Sequence, residues 1–439
     1  MLAVSLRAIR LSQPASMIFD ETYYAKDACL YAGLGQQVCK SPGPAEQSFV
    51  HPPLGKWLIA AGIKIFGYTP FGWRASAAIF GSVLPVLAYL LARRLFRRRW
   101  TAGVAGLLVA TDLLLILESR VAMLDIFLTF FVMLGFLFLA VERDRVLALR
   151  DGPRPPRAGL LRGSAWRVGS GAAFGLALAV KWSAVLALAG AVALSGSWAV
   201  GLARVEGRRE QAASLPSRRP SRRPSRRHRV LGRELGLVTL AFVVVPLLVY
   251  LASYSVWLAQ HRFSLQMLFD RQREMLDFHL NLTAKHPYDS PAWRWPLVLR
   301  PVAYYWEGGD TATHVLAFGN PATWWAALAA GAWLLARGLR PWGSERVPGV
   351  AWAFQYLPWL VVSRPIFFFY MTPVVPFMMV GLAAFLAHLR RRGRVLRLLV
   401  GLYLVVGVGL LLWIFYPLAA AVPLPFDRWQ ERMWFKSWI

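Results

Sequence analysis

The chain has 439 residues, 57% hydrophobic and 16% charged, with 20 Trp, 26 Phe and a formal net charge of +28. Several apolar runs reach the ~20 residues that cross a bilayer, which excludes a string of soluble domains with polar surfaces. The positive charge lies in blocks between those runs rather than on one face, which sets nucleic-acid binding aside.

Met1 to Arg10 is too short to span, yet the topology below places residue 11 outside. No apolar region with a cleavage site marks a signal peptide. The expectation is that a true first helix lies upstream of Met1; the alternative is an N-terminus lying in the interface.

The first loop, 11–71, holds Phe19-Asp20-Glu21-Thr22-Tyr23-Tyr24 and then His51-Pro52-Pro53-Leu54-Gly55-Lys56. Charge beside a bilayer is costly and needs a reason. A carboxylate can act as general base on an alcohol or hold a metal. Asp20 and Glu21 also suit the first turn of a helix, as a cap. In the second motif two prolines fix an extended turn and Gly55 permits close backbone approach. Lys56 opens an apolar run, Trp57 to Phe66, that reads as an interfacial helix; its plain alternative is a proline turn with a snorkelling lysine. A carboxylate pair and a cation at a membrane face point to a lipid-linked anionic substrate. Cys29 and Cys39 share this loop, as a disulfide or as two free thiols. No Cys/His metal spacing occurs.

Candidate spans follow at 72–92, 101–117, 121–141, 168–180, 182–203, 234–257, 314–336, 347–362, 365–388 and 397–418. Basic segments at 93–99, 142–167, 204–233, 337–346 and 390–397 fall on alternate sides of successive spans, so the positive-inside rule makes them cytoplasmic. The loop 11–71, the turns at 118–120, 181–183 and 363–365, the loop 258–313 and the tail 419–439 then face outward. Pro216 to Arg229 repeats Ser-Arg-Arg-Pro and reads as a disordered solvated loop, or as one attracted to anionic headgroups.

The outward turns carry more candidates. Arg120, in Glu118-Ser119-Arg120, suits a phosphate held bidentately, or an ion pair with Glu118 or Asp125. Asp125 falls in the first turn of the next helix, where the helix dipole favours it. Asp112 is an intramembrane acid, functional by default unless an Arg or a backbone donor satisfies it. Lys181 interrupts an apolar stretch and converges on Arg120 or snorkels. The loop 258–313 holds Asp277-Phe278-His279, Lys285-His286-Pro287-Tyr288 and Arg300 to Glu307 with Tyr304. These rings suit sugar stacking, a docking surface or an aromatic belt. Asn281-Leu282-Thr283 fits a glycosylation acceptor, a pattern often accidental. Arg364 precedes Phe367-Phe368-Phe369-Tyr370.

The ordered set FDETYYAKDA, HPPLGKWLIA, FGWR, ESRVAMLDIF, KWS, LDFH, HPY, RPVAYYWE, SRPIFFFY and the terminal RMWFKSWI resembles the actinobacterial protein O-mannosyltransferases. These are polyprenyl- or dolichyl-phosphate-mannose–protein mannosyltransferases of the GT-C class. The resemblance runs over nearly the whole chain from about residue 7. It implies an all-α polytopic membrane fold of GT-C type, one integral domain over 1–439 with about ten full spans and a truncated first helix. The soluble repeat domain of fungal and animal relatives is missing. It further implies inverting mannose transfer at the outer face of the plasma membrane. The donor, polyprenyl-phosphate-mannose, is a substrate, and no cofactor is implied. The acceptors would be Ser/Thr-rich exported proteins, with delivery by the secretion translocon left open.

Carried over by residue, Asp20 is the general base and Glu21 orients the acceptor or Asp20. Arg120 steadies the departing phosphate, with Lys56 and Lys181 as further phosphate ligands. His51, Asp125, Arg300, Tyr304 and Arg364 support them. An unactivated hydroxyl must lose its proton and the leaving phosphate needs fixed positive charge, so cations replace a metal; a metal on Asp20 and Glu21 is the alternative. Rival readings are a polyprenyl-phosphate sugar transferase acting on lipid or glycan, a lipid-linked sugar flippase and a binding-only paralogue.

Overall fold

The computed structural model describes residues 1–40, 49–152, 164–213, 225–283, 286–338, 340 and 342–439. The first helices are short: α1 (Leu2–Ala8), α2 (Glu21–Tyr31), α3 (Gln36–Cys39) and α4 (Leu54–Phe66). A disulfide between Cys29 and Cys39 ties the end of α2 to α3, which decides between the two thiol readings. α4 is the helix expected after the prolines. It ends at Gly67, whose φ of 80° favours glycine. α5 (Pro70–Phe96) then starts with Pro70 in its first turn and Thr69 accepting from the Gly72 amide at 3.1 Å. A Cβ on Gly72 would collide with the Gly67 carbonyl, so the α4–α5 corner requires a glycine there.

The bundle continues with α6 (Arg99–Thr111), α7 (Leu113–Glu118), α8 (Asp125–Asp151), α9 (Ala165–Val180), α10 (Ala184–Ala213) and α11 (Arg226–Ser253). After α12 (Leu265–Asn281) come α13 (Pro321–Gly338), α14 (Arg346–Tyr356), α15 (Val375–Arg390), α16 (Arg394–Ala419) and the short α17 (Phe426–Gln430). α5, α8, α10, α11 and α16 are long and apolar enough to cross a membrane, and α9 and α15 are shorter apolar helices.

Several expected spans are corrected. The run 101–117 is broken at Asp112, whose extended backbone separates α6 from α7. Asp112 caps α7 by accepting from the Leu115 amide, and also accepts from Trp324 Nε1 at 2.8 Å. Backbone and indole donors therefore satisfy this intramembrane acid, and no functional role is needed to explain it. Residues 314–317 lie in a strand, and the helix expected at 314 starts at Pro321. The helix expected at 365 starts at Val375, after a proline-rich stretch with one 3₁₀ turn at Phe368–Met371. The 347–362 run is α14 followed by a 3₁₀ turn, Leu357–Val361. On the basic side the helices reach Ala213 and restart at Arg226, so the loop 204–233 is partly helical; the centre of the Ser-Arg-Arg-Pro repeat lies outside the described residues. Lys285 lies outside them too.

The helical polytopic fold expected from the sequence is what the bundle shows, with one small sheet added at one end that the sequence reading did not include. Strands β1 (Val302–Glu307), β2 (Thr311–Ala317) and β3 (Leu424–Pro425) form an antiparallel sheet in the order β1-β2-β3. Val302 pairs with Ala317 and Glu307 with Thr313, with an irregularity between Ala303 and Tyr305; Thr311 pairs with Pro425. Runs such as Val302-Ala303-Tyr304-Tyr305-Trp306 are β-branched and aromatic, a strand signal that the aromatic-belt reading overlooked. The sheet joins the loop 258–313 to the tail 419–439 through side chains as well. Trp429 Nε1 donates to His314 at 3.1 Å and Trp438 Nε1 to the Val298 carbonyl at 2.7 Å.

At the other end, Arg167 on α9 bridges Glu142 on α8 at 3.0 Å and Glu234 on α11 at 2.8 Å, all buried. This locks three helices together where the basic segments begin, because one buried guanidinium must satisfy several donors at once.

Candidate active site

The turn before α2 sets the site. Phe19 has a φ of 49°, a left-handed conformation uncommon for a bulky residue. Its ring is stacked on Tyr304 at 4.3 Å and meets Phe369 edge-on at 5.6 Å, contacts that hold the strained backbone in place. Asp20 follows as the N-cap of α2, but its side chain makes no capping bond. The capping reading thus accounts for its backbone position and not for its carboxylate. Asp20 is partly buried and bonded to the Tyr24 side chain. Burial pushes its pKa up to about 6; Lys181 and the Tyr24 bond pull it down, and Asp125 pushes it further up.

Glu21 is fully buried and saturated. Its Oε1 accepts from Arg74 Nε and the Ala122 amide, both at 2.8 Å; its Oε2 accepts from Arg74 at 2.8 Å and the Ile18 amide at 3.0 Å. Of its two expected roles, contact with an acceptor is ruled out by this geometry; holding the Asp20 turn against the 120s hairpin is what it does. Arg74 also donates to the Leu11, Pro14 and Ser16 carbonyls, which knits the approach to Asp20 onto α5. FGWR signalled Arg74 in the sequence, but its role needed the fold.

Arg120 is a correction. Its guanidinium donates to the carbonyls of Leu6, Arg7, Ile9, Arg10 and Ala420, at 2.7–3.5 Å. It pairs with neither Glu118 nor Asp125 and is occupied by backbone, not aimed at a ligand. Asp125 opens α8, as expected, but binds Lys181 Nζ through both oxygens at 3.0 Å. Glu118 accepts from the Tyr304 hydroxyl at 2.6 Å. Lys56 is buried against Asp27 at 2.7 Å, a structural pair rather than a phosphate ligand. Arg300 donates to the Ser437 and Pro287 carbonyls and lies over Tyr288, so it clamps the tail to the loop and stands apart from the cavity described next.

The remaining candidates converge on a cavity of about 190 Å³. Its wall includes His51, Asp125, Lys181, Trp182, His279 and Arg364, with Trp359 and Tyr370 beside them. Lys181 lies 5.0 Å over the Tyr370 ring and 5.7 Å over Phe369. His51 and His279 are stacked, with centroids 5.5 Å apart. Burial, Lys181 and His279 hold His51 well below the ordinary imidazole range; burial and the cations Arg364 and Lys181 lower His279 despite its bond to the Val50 carbonyl. Both rings are therefore neutral near pH 7. Asp20 is not part of the wall, yet it lies near enough to Lys181 and Asp125 for their charges to move its pKa. A half-buried carboxylate that is deprotonated at neutral pH thus stands beside a cavity with two cations and an aromatic wall. Such a site can remove a hydroxyl proton and steady an anionic leaving group. Arg364 entered the sequence reading as a supporting cation before an aromatic run; the turn between α14 and α15 places it on the same cavity wall as Lys181. Gln355 and Trp359 gave no signal at all.

Residues 1–261 match the family model described as dolichyl-phosphate-mannose-protein mannosyltransferase, and residues 264–438 match the C-terminal four TMM region of protein-O-mannosyltransferase. The chain is 31% identical to the polyprenol-phosphate-mannose–protein mannosyltransferase of Mycolicibacterium smegmatis (strain MKD8), covering 100% of this chain and 91% of the relative. It is 32% identical to the protein of the same name from Mycobacterium tuberculosis (strain ATCC 25618 / H37Rv), covering 98% and 88%. Among solved structures it is similar to the S. cerevisiae protein O-mannosyltransferase Pmt1-Pmt2 complex bound to the sugar donor, with a TM-score of 0.75, 14% identity and coverage of 100% of this chain and 92% of that chain. ArnT from Cupriavidus metallidurans bound to undecaprenyl phosphate gives a TM-score of 0.58 at 18% identity, over 93% of this chain and 63% of that one. At these identities the structural likeness speaks for the fold, of GT-C type.

Proposed function

The chain belongs to the dolichyl-phosphate-mannose-protein mannosyltransferase family, and from that premise we propose that it transfers mannose from polyprenyl-phosphate-mannose to Ser or Thr hydroxyls of exported proteins, with inversion at the anomeric carbon. The observation that carries this reading is Asp20, uncapped and partly buried, electrostatically coupled to Lys181 at the cation-lined cavity. Asp20 takes the acceptor proton as the new glycosidic bond forms. Lys181 and Arg364 receive the charge that grows on the phosphate as the anomeric C–O bond breaks. In this reading those two cations supply what a metal would, and no cofactor takes part. An acceptor hydroxyl must reach a half-buried carboxylate, which suits a chain that is still unfolded, as on delivery by a secretion translocon. The test is transfer of labelled mannose from polyprenyl-phosphate-mannose to a Thr-rich peptide by membranes carrying this protein. No transfer to peptide, with transfer to a lipid or glycan instead, would sink it.

The alternation of basic segments with the loops that build the site supports a position on the outer face of the plasma membrane. With single cysteines, Asp289→Cys should react with an impermeant thiol reagent in intact cells and Arg229→Cys should not. The reverse pattern would move the site to the cytoplasm.

Lys181 is expected to act on the donor. Lys181→Gln alone leaves Asp125 as an uncompensated buried charge and loses folded protein. Combined with Asp125→Asn it should fold, yet turn over about 10²-fold more slowly. Its acid limb should also move slightly to higher pH: the substitutions remove both Lys181, which lowers the Asp20 pKa, and Asp125, which raises it, and the Lys181 effect is the larger. Full activity of the double variant would leave Arg364 as the cavity's phosphate ligand.

A further inference from the structure

We propose, resting on the reading above, that His279 Nδ1 accepts a hydrogen bond from a ring hydroxyl of the donor sugar, with His51 stacked against it, and so helps to select which sugar is transferred. His279 stands near the end of α12 and lines the cavity with Lys181, Trp182 and Arg364. Its Nε2 lies 3.0 Å from the Val50 carbonyl. A carbonyl only accepts, so in a neutral ring this bond assigns the proton to Nε2 and leaves Nδ1 as a lone pair. That Nδ1 is buried and has no hydrogen-bond partner among the described residues; the same holds for His51 Nδ1. A buried acceptor left unmade is costly, and its neighbours at the cavity do not relieve it.

The chemistry of the missing partner follows. It must be a donor, which excludes a phosphate oxygen; the phosphate is matched by Lys181 and Arg364. It must be uncharged, because a cation would meet those same two positive groups. A sugar hydroxyl is a neutral donor of the right kind, and Trp182, tilted 6.2 Å from His279, provides an apolar ring face beside it. A role as general base is disfavoured, since burial and the nearby cations hold the imidazole below its ordinary range. The ring is anchored from two sides, by Val50 and by the 5.5 Å stack on His51, so its Nδ1 is fixed in direction. A fixed acceptor discriminates between sugars that place a hydroxyl there and sugars that do not.

The test uses the full chain in liposomes with polyprenyl-phosphate-mannose and its 2-, 3-, 4- and 6-deoxy analogues. For the wild type, one monodeoxy donor should lose roughly 10–100-fold in kcat/KM, because the site then keeps an unpaired acceptor. His279→Phe should lose a similar factor on the natural donor and no longer distinguish that analogue from it. His279→Asn, which restores an acceptor near the Nδ1 position, should recover most of the discrimination. Should the Phe variant misfold, His279→Gln can still donate to Val50 but carries its only side-chain acceptor, Oε1, away from the Nδ1 position, and gives the same comparison. Equal losses on every donor, with the wild-type preference among deoxy analogues intact, would overturn the proposal; so would a wild type indifferent to every deoxy position. Absence of mannosyl transfer by the wild type with the natural donor would instead overturn the parent reading, and this one with it.

Discussion

Asp20→Asn is expected to lower mannosyl transfer by about 10²–10⁴-fold, the usual contribution of a positioned general base, while the protein still folds and retains its donor. The amide is nearly isosteric, and the Asp20 side chain makes no capping bond to α2 that the substitution would break. The loss should therefore fall on turnover and not on yield. The pH dependence carries a sign that checks the assignment. A base works only when deprotonated, and this carboxyl titrates at about 6 because burial outweighs the pull of Lys181 and the Tyr24 bond. Activity should be on its plateau above pH 7 and fall about tenfold per unit well below pH 6. Stopped assays across pH 4.5–8 with labelled donor would show it. Wild-type turnover in folded Asp20→Asn, or an acid limb unchanged in the residual activity of that variant, would remove Asp20 from the chemistry.

The second large effect is on stability. Arg120→Ala should deplete folded protein, with a loss of at least ~3 kcal/mol, because charged hydrogen bonds to buried carbonyls are each worth about 1.5–3 kcal/mol and five carbonyls converge here. Those carbonyls come from residues 6–10 and from Ala420, so one side chain holds the start of the chain against the end of α16. Arg120→Lys keeps the charge but lacks the planar fork and should be intermediate. The measurements are the monodisperse fraction after extraction and the melting temperature in detergent. Activity per folded molecule should stay within a few-fold of wild type, because Arg120 does not line the cavity. A variant that folds normally and is nearly inactive would return Arg120 to the donor phosphate.

These two outcomes mark where the sequence was legible. The membrane class and the alternation of basic segments were readable, since bilayer insertion penalises charge at each position one by one. The helix after His51-Pro52-Pro53 was readable for a local reason: proline, glycine and an apolar run act on their immediate neighbours. The sheet was less so, because strand preference competes with aromatic-belt composition in one short segment.

The division of labour among the cations was decided by tertiary structure alone. Arg120, Lys56 and Lys181 were read as phosphate ligands, Arg364 as a supporting cation, and Arg74 had no assigned role. What separates them is what reaches them from far along the chain: Glu21 reaches Arg74, backbone carbonyls 110 or more residues away reach Arg120, and Asp27 reaches Lys56. Lys181 and Arg364 are the ones brought to the cavity. A charged side chain takes its role from whichever partner desolvates with it, and in a helical bundle that partner is set by packing between distant segments rather than by the residues on either side.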